Sequence, residues 1–82
     1  VMQKTYVMIK NRYHIISELE MFIESFDHEY QAIGNEIKVY LDESEVYIII
    51  NESIEIYEPD NSKSYSFCKL DDAIKKLNSI FS

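Results

Sequence analysis

Residues 34–58 run GNEIKVYLDESEVYIIINESIEIYE, and their apolar positions recur at a period of two rather than 3.6. Ile37, Val39 and Leu41 alternate with Lys38 and Tyr40, and Ile54 and Ile56 flank Glu55. That alternation is the signature of strands with one buried and one wet face. Val46 to Ile50 is apolar at every position, so the strand it forms raises the question of what lies against its second face. Asp42-Glu43-Ser44-Glu45 and Asn51-Glu52-Ser53 separate the three runs and read as turns. Beyond them, Glu58-Pro59-Asp60-Asn61 places proline where a type I turn wants its preset φ, and Ser64 to Cys68 supplies a further strand.

Helices flank this block. Ile15, Leu19, Phe22 and Phe26 recur at i, i+4, i+7 and i+11, with Ile16 and Ile23 beside them, while Glu18, Glu20 and Glu24 face away. Asn11 is positioned to cap that helix, which should fade near Asp27 to Tyr30, leaving Gly34 in a loop. Tyr6 to Ile9 reads as irregular or edge strand. A second helix is expected over 70–81, with Asp71 and Asp72 at its positive end and a stripe of Leu70, Ala73 or Ile74, Leu77, and Ile80 or Phe81. The order is α-β-β-β-β-α. Short turns exclude parallel neighbours, which need long crossovers, so the sequence predicts a single α+β domain over 1–82. In it, a four-stranded antiparallel meander carries two helices on one face.

The side chains of the helix-free face then depend on register. A two-residue cap at Glu43-Ser44 sets Tyr40 opposite Tyr47, and a three-residue loop at Asn51–Ser53 sets Tyr47 opposite Tyr57. This predicts a row of three tyrosines, with Lys38, Ile49 and Glu55 in the next row and Glu36, Asp42, Glu45 and Asn51 around the rim. The expected partner-binding set is therefore Tyr40, Tyr47, Ile49, Tyr57, Glu36, Asp42, Glu45 and Glu55. Tyrosines at the centre of a patch with a polar rim are the usual anatomy of a protein interface. The competing explanation is that aromatic pairs stiffen a small sheet by about 0.2–1 kcal/mol each.

Charge points to the partner. From Tyr13 to Ser62 there are 13 acids and one base, Lys38, whereas the ends carry the other seven bases with only Asp71 and Asp72. The middle repels phosphate, so direct nucleic-acid binding is not expected. A protein with a basic surface is.

The chemistry-bearing constellations are sparse. His14, His28 and Cys68 lack the paired spacing of a zinc site, so no metal is expected. One glycine cannot build a phosphate-cradling loop, and no Ser or Cys lies in a nucleophile pattern, so neither a cofactor nor enzymatic activity is expected. His28, between two acids, reads as a surface residue. A lone cysteine and the lack of any apolar run of about 18 residues predict a cytoplasmic chain without a membrane span. Isoleucine-rich, alanine-poor composition hints at an AT-rich bacterial or phage coding sequence.

Together these features predict a small acidic interaction protein, an inhibitor or modulator that occupies the basic site of a nucleic-acid-binding protein. The analogy, one of surface chemistry only, is to phage-encoded anti-restriction and anti-CRISPR proteins that act as nucleic-acid mimics. The alternative is a homodimeric structural module in which two sheets meet at their tyrosines.

Overall fold

The computed structural model describes residues 12–82, so Asn11 and Tyr6 to Ile9 lie outside the described residues. Helix α1 spans Arg12–Ser25. Five strands follow: β1 Glu29–Ile33, β2 Glu36–Tyr40, β3 Glu45–Ile50, β4 Ile54–Glu58 and β5 Lys63–Phe67. A 3₁₀ turn over Pro59–Asn61 joins β4 to β5, and helix α2, Leu70–Phe81, closes the chain. The sheet is antiparallel with strands in sequence order, and α1 and α2 pack on one face of it. The fold is α+β, with the order α-β-β-β-β-β-α.

The sheet therefore has five strands, not four. The additional one is Glu29–Ile33, where the helix was expected to fade into a loop. Two local events explain it. Asp27 takes φ 65°, the left-handed conformation that ends helices, and Phe26 and Asp27 donate their N–H groups to Ile23 and Glu24 at 3.1 and 2.9 Å. Glycine usually fills that position, but a short polar side chain tolerates it, so the stop signal is muted in the sequence. Gly34 then turns the chain at φ 62° while Asn35 keeps negative φ, the pattern of a type II′ hairpin with glycine at its first central position. Asn35 Nδ2 donates to the carbonyl of Ile50 (3.1 Å) and to Asn51 Oδ1 (2.5 Å), tying this turn to the far end of β3.

The register of the β2–β3 hairpin also differs from expectation. Leu41 to Ser44 form a four-residue connection closed by a Leu41 N–H to Ser44 carbonyl bond of 2.9 Å, so Tyr40 faces Glu45 and Lys38 faces Tyr47. The slip is two residues, so the faces are preserved while the partners change. The three-residue loop between β3 and β4 is as expected and sets Tyr47 opposite Tyr57.

The core is aliphatic throughout. Ile15, Leu19 and Ile23 of α1 and Ala73 and Leu77 of α2 press onto Ile37, Val39, Val46, Ile48, Ile50, Ile54 and Ile56. Each fully buried Ile or Leu stabilises by about 1.5–3 kcal/mol relative to exposure. In α1 the deepest line is Ile15, Leu19, Ile23. Phe22 and Phe26 turn toward α2, where they meet Phe81 at ring-centroid distances of 6.1 and 5.3 Å. His28 is half-buried in this group, not a surface residue: it stacks on Phe26 and meets Phe81 edge-on at 4.9 Å. Its Nε2 is buried without a hydrogen-bond partner.

Candidate protein-interaction face

The pleat that buries Ile37, Val39, Val46, Ile48, Ile50, Ile54 and Ile56 sends the alternate side chains to the opposite face of the sheet. These are Glu29, Gln31 and Ile33 on β1, Glu36, Lys38 and Tyr40 on β2, and Glu45, Tyr47 and Ile49 on β3. Glu55 and Tyr57 continue them on β4, and Ser64 and Ser66 on β5. Neither helix covers this side. Seven of the eight residues expected at a partner site lie on it. The eighth, Asp42, sits in the β2–β3 loop at one end, exposed.

Their arrangement corrects the expected row of three tyrosines. One row across the sheet is Gln31, Lys38, Tyr47, Tyr57 and Ser64; the next is Ile33, Glu36, Ile49, Glu55 and Ser66. Glu36, rather than Lys38, thus stands beside Ile49. Tyr47 and Tyr57 lie 6.3 Å apart between ring centroids, tilted by 52°. Tyr40 lies diagonally from Tyr47, and Lys38 fills the gap, its Nζ 5.3 Å from one ring centroid and 5.5 Å from the other. Lys38, not a tyrosine contact, thus joins Tyr40 to the aromatic pair.

Carboxylates surround that centre. Lys38 Nζ lies 3.6 Å from Glu45 Oε2, and the Tyr47 hydroxyl donates to Glu45 Oε1 at 3.2 Å. Partial desolvation pulls the Lys38 pKa down, but Glu45, followed by Tyr40 and Tyr47, outweighs it and the net shift is upward. Among the described strand residues of this face Lys38 is the only base, and it is already matched by Glu45. Glu29, Glu36 and Glu55 are left as exposed negative charges. At the loop end, Tyr40, Leu41, Glu43, Ser44, Glu45, Pro59 and Asp60 line a shallow open depression of the same sign. Among the described residues, no group of His, Cys, Asp and Glu side chains is disposed to hold a metal ion.

Three members of the face went unread in the sequence: Glu29, Gln31 and Ile33. The available signal was the alternation of Glu29-Tyr30-Gln31-Ala32-Ile33 ahead of the Gly34-Asn35 pair. It is weak because β1 buries little: only Tyr30 is half-buried, and Ile33 is 67% exposed. Tyr30 is anchored by its hydroxyl, which donates to Glu24 of α1 at 2.6 Å.

Compared with protein-family models, curated proteins and solved structures, the chain matches none of them. Among the described residues no helix is long and apolar enough to cross a membrane.

Proposed function

We propose that this chain is a non-catalytic interaction module whose outer sheet face engages a basic protein surface of the kind that nucleic-acid-binding proteins present to phosphate. In that role it acts as an inhibitor or modulator, occupying the site in place of the nucleic acid. The observation that carries the reading is the make-up of the face: Tyr40, Tyr47, Tyr57 and Ile49 at the centre, Glu29, Glu36 and Glu55 around them, and Lys38, the one base among its described strand residues, neutralised by Glu45. Aromatic side chains supply anchoring area at low entropic cost, and the acids steer a positive partner. A homodimer through this face brings like-charged surfaces together, so charge favours a basic partner over a second copy.

The test is capture of basic proteins on the immobilised chain from nuclease-treated lysate of the source cell, followed by elution with duplex DNA. The reading requires a partner that DNA competes away and that rising salt releases, because the attraction is screened within about 8 Å at physiological ionic strength. A triple variant, Glu36→Gln, Asp42→Asn and Glu45→Gln, should slow association while the melting temperature stays nearly fixed. Capture that is indifferent to DNA and to these three changes overturns it.

A further inference from the structure

The hydrogen-bond ladder shows which backbone groups of the sheet remain unspent. The Asn35 carbonyl accepts from the Ile50 N–H at 2.8 Å, so odd-numbered residues of β2 turn their backbone toward β3 and Glu36, Lys38 and Tyr40 turn theirs toward β1. Their β1 partners, Ile33, Gln31 and Glu29, are thereby used. Tyr30 and Ala32 then aim their N–H and C=O groups out of the sheet, and among the described residues no strand pairs with that side. At the opposite edge the Asn51 N–H to Ser53 carbonyl bond of 3.0 Å sets the same count, and Ser64 and Ser66 of β5 point outward.

The two edges are not equivalent. Natural sheets blunt an edge with lysine, proline or a bulge. β5 follows a proline turn, carries Lys63, and has Lys76 Nζ 4.0 Å over the Tyr65 ring. β1 has no proline, no lysine and no bulge, its five residues pair in unbroken register with β2, and the large apolar side chain of Ile33 stands open at its end. Acids border it on both faces: Glu29 and Glu36 on the outer side, and Glu24, bonded to Tyr30, on the inner.

We propose that the edge of β1 is a strand-addition site that takes an extended segment of a partner protein bearing lysine or arginine. Tyr30 and Ala32 offer two donors and two acceptors to it. In antiparallel pairing, residues one to five of the segment lie opposite Ile33, Ala32, Gln31, Tyr30 and Glu29. The first is then apolar against Ile33, the second apolar beside the small Ala32, and the fourth and fifth basic, facing Glu24 and Glu29. The site works through backbone groups and is separable from the tyrosine face.

The probe is a fluorescent peptide containing Ile-Val-Thr-Lys-Arg, titrated by anisotropy against the full chain, with Ile-Val-Thr-Glu-Glu as control. The basic peptide should bind and the acidic one should be at least tenfold weaker. Ala32→Pro deletes an outward N–H but no β1–β2 bond, and should weaken the basic peptide at least tenfold, while Tyr47→Ala changes it less than twofold. In hydrogen exchange on the wild-type chain, the Tyr30 and Ala32 amides should exchange quickly when free and at least tenfold more slowly at saturating peptide. That measurement stands even where Ala32→Pro does not fold. Slow exchange of both amides in the free chain, a mass that rises with concentration, peptide binding unaffected by Ala32→Pro, or no binding at millimolar peptide each overturns the proposal. Retention of binding in Ala32→Pro with loss in Tyr47→Ala moves the peptide to the tyrosine face.

Discussion

Tyr47→Ala separates the work of the outer face from that of the core. The side chain touches Tyr57 at a centroid distance of 6.3 Å and Lys38 at 5.5 Å, and donates to Glu45 at 3.2 Å. A tyrosine pair near the long end of the attractive range contributes about 0.5 kcal/mol, toward the bottom of the measured spread. The cation–π contact adds about 0.5–1 kcal/mol at an exposed site, part of which survives because Lys38 keeps Tyr40 at 5.3 Å. The hydrogen bond is part-buried but long, and contributes about 0.5 kcal/mol net. The folding cost should therefore be about 1–2 kcal/mol, a fall of roughly 5–15 °C in melting temperature for a chain of this size. Ile48→Ala, one residue along and fully buried, should cost about 2–5 kcal/mol by opening a cavity. For partner binding the order inverts. Removing a central aromatic anchor should cost 2 kcal/mol or more, about thirtyfold in Kd, whereas Ile48→Ala should leave the affinity of the folded fraction intact. Urea melts read the first quantity, and surface plasmon resonance against the captured partner reads the second. A Tyr47→Ala protein that binds like wild type removes the tyrosine from the interface. One as unstable as Ile48→Ala places the ring inside the fold.

Leu19→Ala, in the centre of α1, should lower stability by about 2–5 kcal/mol in a denaturant melt, and a melt that barely moves shows that α1 does not dock on the sheet. Gly34→Ala should cost about 1–2 kcal/mol from the positive φ alone, since an added Cβ meets no atom within 4 Å, and D-alanine at that position should restore wild-type stability. The hydrogen bond that Tyr30 donates to Glu24, then desolvation, then the charges of Glu20 and Glu24 raise the Tyr30 pKa to about 12. Because the folded value lies above the unfolded one, the associated stability is fully present below pH 10 and is lost as pH rises toward 12. Ultraviolet titration of the chain against a Tyr30→Phe reference should show Tyr30 ionising late, and Glu24→Gln should lower its pKa.

The central hairpins were legible because their inner residues are β-branched and alternate without a break, which pins the faces regardless of the exact turn. Register was less secure. The apolar Leu41 reads as strand, which favours the short Glu43-Ser44 cap, whereas in the structure the bond from Leu41 to Ser44 closes a four-residue connection. A two-residue slip keeps every side chain on its own face, so the apolar pattern carries no information about it. β1 stayed hidden for a related reason: its pairing rests on the Gly34 turn and backbone bonds rather than on burial. Alternation therefore identified the tyrosines and most of the acids of the face, while the placement of Lys38 among the rings and the extension of the face by Glu29, Gln31 and Ile33 depended on pairing.

The twelve buried core residues are all aliphatic, so among the described residues the tyrosine signals originate outside that core. None of the twelve carries a ring, the chain has no tryptophan, and no described tyrosine is fully buried. Among the described residues, tyrosine emission therefore arises from Tyr40, Tyr47 and Tyr57 on the outer face, from the exposed Tyr13, and from Tyr30 and Tyr65, which pack against the core from its margin. A partner docking on the outer face should perturb the share of these signals that comes from Tyr40, Tyr47 and Tyr57, while far-ultraviolet dichroism follows the backbone independently.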